Sequence, residues 1–191
     1  MTMKKVYVFL ADGFEDIEAL IPVDVLRRGG VEVVTVSTVE DSQIATSAHG
    51  VQVVADAMID ECTFDDADLL LLPGGMPGAS NLYECDAVRQ ALLNQHRQQK
   101  RIAAICAAPA VVLAQTGVLD GRRATCYPGF EQLLTKAEYT ADLVTVDGHV
   151  TTAEGPAAAL PFAYELLSQL VDAQTSRQVA EGMRYVHLME R

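Results

Sequence analysis

Three stretches of the chain place reactive or ligand-holding residue types where a strand hands over to a turn. In Arg101-Ile102-Ala103-Ala104-Ile105-Cys106-Ala107-Ala108-Pro109-Ala110, a β-rich run delivers a cysteine to a junction of small residues, and a helical pattern starts at once. This is the geometry of a nucleophile elbow without the usual G-x-S-x-G residues. A thiol there meets the N-terminus of the next helix, whose dipole and free N–H groups favour an anion, so a lowered pKa and a reactive thiolate are expected. The same position also suits a cysteine that is merely a small buried apolar residue.

The loop Pro73-Gly74-Gly75-Met76-Pro77-Gly78 follows the apolar run Asp68–Leu72. It lacks the Lys-Ser/Thr pair of a Walker A loop and is not a G-x-G-x-x-G fingerprint. Gly74 and Gly75 let backbone N–H groups approach a ligand closely, as donors to an oxyanion or carbonyl oxygen. An ordinary strand-to-helix turn has the same composition. Glu18 is the third candidate. On a helix starting at Phe14, the row 14, 18, 21, 25 reads Phe, Glu, Ile, Val, which sets a carboxyl in an apolar line. Buried beside a thiol, that carboxyl would hold its proton and donate a hydrogen bond to the thiolate. Turned to solvent, it would join Glu15 and Asp16 as favourable charge in the first turn. Among the histidines, His96, His149 and His187 are expected at the surface, whereas His49, before Gly50, can reach a strand-end site. No metal-ligand spacing occurs, and neither a metal nor a cofactor is expected.

These candidates need elements to position them. Lys4–Ala11 and Val31–Thr38 read as strands, and Phe14–Arg28 as a helix ended by Gly29-Gly30, with a kink expected at Pro22. Ser42–Asp56 alternates weakly around His49-Gly50 as a strand or hairpin. Asp68–Leu72 and Arg101–Ile105 are buried-strand runs. Asp86 is the expected cap of a helix to about Gln99, and Ala107–Gln115 the next helix, closed by Gly117. Asp142–Ala153 reads as a hairpin turning at Asp147-Gly148. Ala163, Leu166, Leu167 and Leu170 mark a C-terminal helix, and Ser176 can cap a shorter one. The alternation argues an α/β fold, a doubly wound, mostly parallel sheet with helices on both faces, in one domain over residues 1–191. In such sheets ligands bind beyond the carboxyl ends of the strands, where all three candidate stretches fall.

Composition removes several function classes. The chain has 191 residues, half of them hydrophobic, with 14 Lys+Arg against 26 Asp+Glu and a formal charge of -12. Basic residues occur at most in pairs, so neither nucleic acid nor an anionic membrane surface is an expected partner. No apolar run approaches membrane-spanning length, and the N-terminus does not read as a signal peptide. Cys62, Cys85, Cys106 and Cys126 are spaced 23, 21 and 20 residues apart, which fits reduced thiols in a cytoplasm better than a zinc site or disulfide framework.

The segments Gly13–Glu18, Ile21–Arg28, Leu72–Gly75, Ala103–Pro109 and Gly155-Pro156 together resemble the ThiJ/PfpI superfamily. Within it, they resemble the clade of the Parkinson-disease protein deglycase and its bacterial relatives. The resemblance implies a flavodoxin-like, class I glutamine-amidotransferase-like fold and a homodimer built through the first helix. It implies Cys106 as the reactive cysteine, Glu18 as its protonated carboxyl partner, and Gly74, Gly75 and Ala107 at the oxyanion and substrate position. It adds Tyr127, His49 and Arg28 as pocket residues. In the protease branch a His follows the cysteine, but here it is Ala107, so protease activity is not implied. Tyr127 stands where clade members often carry His, and it is no base near neutrality, with a free pKa of ~10. His49 stands in for the clade's basic residue beside the pocket, and Ala157 replaces a frequent Gly.

Two function classes follow. One is an enzyme of small 2-oxoaldehydes such as methylglyoxal, or of glycated adducts, with Cys106 as nucleophile and Glu18 moving protons. The other is a redox-sensing stress protein or chaperone whose Cys106 is oxidised to sulfinic acid.

Overall fold

Leu69, Leu70, Leu71 and Leu72 are all fully buried, as a strand covered by helices on both faces requires. The computed structural model describes residues 3–189. Its strands are β1 (Lys5–Leu10), β2 (Glu32–Ser37), β3 (Ile44–Thr46), β4 (Gln52–Val54), β5 (Ala57–Met58), β6 (Leu69–Leu72), β7 (Arg101–Ile105), β8 (Arg123–Ala124), β9 (Glu138–Tyr139), β10 (Val144–Asp147) and β11 (Val150–Ala153). Its α-helices are α1 (Asp16–Arg28), α2 (Gly78–Glu84), α3 (Asp86–Arg97), α4 (Ala159–Leu170), α5 (Ala173–Gly182) and α6 (Tyr185–Met189).

Seven strands form the main sheet in the order β10-β11-β7-β6-β1-β2-β5. All pair in parallel except β10, which returns antiparallel to β11. From β1 the chain steps outward to β2, and from β6 it steps the opposite way to β7. Right-handed crossovers in opposite directions put α1 on one face and α2–α3 on the other. The order reverses between β1 and β6, creating a crevice at their carboxyl ends. This is the doubly wound architecture expected from the alternation of strands and helices, and the flavodoxin-like fold that the resemblance implied.

Several local expectations are refined. Ser42–Asp56 forms a separate hairpin of β3 and β4. The α1 helix runs unbroken through Pro22, so the residue left without its i+4 donor is Glu18, at its carbonyl. Cys85, not Asp86, occupies the cap of α3. The segment after Cys106 is a tight turn followed by a π-helical turn, Pro109–Leu113, rather than a regular helix. Asp147 ends β10, so Gly148 and His149 form the hairpin turn. The cap of α5 is Asp172, whose side chain accepts the Thr175 N–H at 2.7 Å, while buried Ser176 donates to the Tyr164 carbonyl at 2.7 Å.

His96 and His149 are not free surface residues. Both are half-buried, with Nδ1 of His96 3.0 Å from Nε2 of His149 and the rings 5.0 Å apart. Burial, aided by the Arg122 and His96 charges, pushes His149 down to about 4. The folded protein then leaves this imidazole neutral where the unfolded chain binds a proton, so stability falls as pH drops from the ordinary histidine range toward 4. Urea unfolding at about pH 5 should show ~1 kcal/mol of stability lost relative to pH 7, after discounting for partial exposure, and His149→Gln should flatten that dependence.

Candidate active site

The carboxyl ends of β1, β6 and β7 converge where the strand order reverses. Cys106 directly follows β7 and has φ +65°, a left-handed conformation that costs a non-glycine residue energy and recurs at functional turns. It is held on both sides: its N–H donates to the Ala153 carbonyl at 2.9 Å, and its carbonyl accepts the Tyr127 N–H at 2.8 Å. The N–H groups of Gly75 and Ala107 lie beside its sulfur and favour its anion.

The glycine loop serves close approach. A Cβ on Gly74 would lie 2.6 Å from Cys106 Cβ, 2.7 Å from Glu18 Oε2 and 2.9 Å from the Ile105 carbonyl. Gly75 adopts φ +85°, and a Cβ there would strike the Glu15 nitrogen and the Gly13 carbonyl. No other residue lets the loop pass between α1 and the elbow.

Glu18 is 0% exposed, so its carboxyl points inward, not to solvent. Oε2 accepts the Gly74 N–H at 2.9 Å, whereas Oε1 is buried with no hydrogen-bond partner of ordinary geometry. The carboxyl interacts with the Cys106 side chain. Burial pushes Glu18 up to about 7; the neighbouring Cys106 side chain and the Gly74 N–H oppose that, while the Glu15 charge adds to it. Burial, with the neighbouring Glu18 charge and hydrogen bond, likewise pushes the Cys106 thiol up to about 12, against the opposing Gly75 and Ala107 N–H groups. Two acids in contact in a dry site thus compete for one negative charge.

This geometry corrects the sequence reading in places. The thiol is raised, not lowered, because burial and a like charge outweigh the two N–H donors. The N–H of Gly74 is already taken by Glu18, which leaves Gly75 and Ala107 as the donors facing sulfur. Within one chain Arg28 stands apart from the elbow: it lies ten residues beyond Glu18, ~15 Å along the helix, and pairs with Asp24 at 2.8 Å. Tyr127 adjoins the elbow through its backbone. Its ring stands beside Gly155, in a recess of about 390 Å³ lined also by Pro128, Glu154, Pro156 and Ala157. His49 lies on the exposed side of α1, with Nδ1 2.6 Å from Asp16 Oδ2. Sequence reasoning missed the part of Glu15, whose carboxylate caps α1 by accepting the Glu18 N–H at 2.8 Å. An acidic residue just before a helix was the available signal.

Residues 4–169 match the DJ-1/PfpI family. The chain belongs to that family. It is 38% identical over 178 residues to DJ-1 homolog B of Arabidopsis thaliana, covering 93% of this chain but only 40% of that protein's length. It is 35% identical over 183 residues to the Parkinson disease protein 7 homolog of Danio rerio, covering 94% and 96% of the two chains. A glutathione-independent glyoxalase of Caenorhabditis elegans is 32% identical over 158 residues, 82% of each chain. The solved structure of oxidized Toxoplasma gondii DJ-1 superposes with a TM-score of 0.91 at 38% identity, covering 94% and 97%.

In this DJ-1/PfpI chain the buried carboxyl carries a stability cost with a definite sign. Glu18 rises from 4.5 to about 7, so between those values the folded state keeps a proton that the unfolded chain has lost. Stability is therefore fullest below 4.5 and declines as pH rises through 7. The neutral isostere Glu18→Gln should be more stable than wild type at about pH 8, by roughly 2 kcal/mol in urea unfolding, and lose that advantage near pH 4. An equal or lower stability at the higher pH would contradict the assignment.

Proposed function

We propose that the chain is a cysteine-dependent enzyme of reactive carbonyls, of glyoxalase and protein-deglycase type. The observation that carries this reading is a sulfur on a strained elbow in contact with a fully buried carboxyl, with two N–H groups directed at it. The name of the Caenorhabditis relative supports it from outside.

A carboxyl near 7 is matched to take and return protons at neutral pH. As carboxylate, Glu18 accepts the Cys106 proton while the sulfur adds to the aldehyde carbon of methylglyoxal, forming the C–S bond of a hemithioacetal. The Gly75 and Ala107 N–H groups hold the developing oxyanion until it is protonated. Glu18 returns its proton to that oxyanion and, again a carboxylate, moves the proton on that carbon to the adjacent carbonyl carbon while the hydroxyl proton passes to the adjacent oxygen, which leaves a thioester. Water cleaves the C–S bond, releasing lactate and restoring the thiol. The same attack on a glycated adduct would be the deglycase reaction. With tyrosine rather than histidine at position 127, Glu18 carries the proton unaided. Steady-state conversion of methylglyoxal in non-amine buffer should rise with pH through about 7, vanish in Cys106→Ser and fall at least ~100-fold in Glu18→Gln. A wild type that is inactive with Cys106 still reduced would overturn the proposal.

One observation favours a second, redox reading. The partnerless Glu18 Oε1 and the two N–H groups would bind the oxygens of a sulfinate, formed as Cys106 displaces water from two successive molecules of hydrogen peroxide. A protein with no turnover that gains two oxygens at Cys106 under peroxide would make this reading the leading one, with stress response or chaperoning as its output.

The four cysteines are all free thiols, which supports a cytoplasmic location. No helix among the described residues is long and apolar enough to cross a membrane. As partner we propose a second copy packed on α1, where Ile17 and Leu20 are exposed beside the β3–β4 hairpin with its exposed Val51 and Val54. Leu20→Lys should convert a dimer to a monomer in sedimentation, and an unchanged mass would exclude this face.

A further inference from the structure

Away from the elbow, α3 builds a second cavity near the opposite edge of the sheet. Gln90, Asn94 and Gln95 on α3, with Gln98 at its C-terminal cap, line about 230 Å³ together with Ile59 and Phe64. Phe64 is a fixed wall, packed T-shaped against Tyr7 and Phe9 with ring centroids 5.0 and 5.2 Å apart. Gln95 lines the cavity although it is only 3% exposed. Its Nε2 donates to the Arg101 carbonyl at 3.1 Å and, more weakly, to the Ala67 carbonyl at 3.4 Å. Both partners can only accept, so the carboxamide cannot be turned over. Among the described residues no donor reaches its Oε1, and that oxygen is not one of the fully enclosed unpartnered atoms. It therefore opens onto the cavity. A carbonyl oxygen so placed without a donor costs free energy that a bound hydroxyl or N–H recovers. Arg101 opens β7 and Cys106 follows its end, so the cavity lies ~16 Å from the elbow along the strand.

We propose that this cavity binds a small neutral polyol, a sugar ring of monosaccharide size. The ligand must supply a donor to Gln95 Oε1. Among the described residues that line the cavity, Asp65 carries the one charge, and it is exposed. With no Lys, Arg or His in that lining and a chain charge of -12, an anion is repelled. A cation gains little from a single solvated carboxylate. A purely apolar ligand would strand the four carboxamides. A hydroxyl both donates and accepts, as each carboxamide does, so a ring of hydroxyls can pair with all four. The C–H face of that ring rests against Ile59 and Phe64. The volume falls below the roughly 300 Å³ at which drug-sized pockets begin, which suits one ring and not a chain of them. The proposal is independent of both readings of Cys106.

The test is proton–nitrogen correlation NMR of the whole chain, titrated with the methyl α-glycosides of glucose, mannose and galactose. These glycosides hold no free aldehyde, so no shift they cause arises from carbonyl chemistry at Cys106. At least one should move the backbone amides of Phe64 and Ala91 and the Gln95 side-chain amide, with half-saturation on the order of 1 mM. Gln90→Ala combined with Asn94→Ala, both exposed positions, should weaken that binding about tenfold. Ala87→Phe, at an exposed position in the cavity lining, should abolish saturation while the rest of the spectrum stays that of the folded wild type. No shifts, or shifts that grow without saturating for all three glycosides, would overturn the proposal. So would adenine, equally neutral but planar, saturating these resonances where the glycosides do not. Wild-type affinity in both variants would mean that the sugar binds elsewhere, and would overturn the site.

Discussion

The contact between the Glu18 carboxyl and the Cys106 sulfur is the interaction on which the rest of the site depends. Removing an ionised carboxylate from water is costly, and a second acid beside it makes ionisation of both unfavourable. The fold keeps the contact by holding its surroundings rigid. Glu15 caps α1 through the Glu18 N–H, and the Glu15 N–H donates to the Gly74 carbonyl at 3.0 Å. Gly74 then returns its own N–H to the carboxyl. Helix, glycine loop and elbow are thus tied into one unit, and each tie excludes a side chain or water that would relax the site.

The sheet supplies the precision of placement. β1, β6 and β7 are consecutive neighbours paired in parallel, so the residues at their carboxyl ends arrive at one edge from three separate parts of the chain. The reversal of strand order opens the crevice there, with α1 starting on one side and the glycine loop on the other. Elements remote from the site carry a different electrostatic demand. The His96–His149 pair is destabilising when protonated, whereas Glu18 is destabilising when ionised, so acid and alkaline conditions weaken different parts of the molecule.

Much of this was legible in the sequence because it depends on local rules. The leucine run of β6, the cysteine between a strand and small residues, and a glutamate in an apolar helical row each announce their environment by type and spacing. The glycine pair was recognisable as a close approach, but not what it approached. That the Gly74 N–H would serve Glu18 rather than a ligand depends on α1 and β6 meeting across 56 residues of chain. The direction of the thiol shift depends on which of burial, like charge and N–H donation prevails, a balance invisible without distances. The distance of Arg28 from the elbow within one chain was not legible either, because a motif conveys sequence adjacency, whereas a helix carries its end far from its start. The His96–His149 contact joins residues 53 positions apart and leaves no local trace.

The chemistry of the buried pair turns on where the shared proton resides, and infrared difference spectroscopy measures that directly. Subtracting the Glu18→Gln spectrum from that of the wild type isolates the Glu18 carboxyl. A protonated carboxylic-acid band present at about pH 6 and replaced by a carboxylate band as pH rises through about 7 is the result the buried pair predicts. A carboxylate band already complete at about pH 6 would mean that Glu18 is ionised beside the sulfur, which would contradict the central claim.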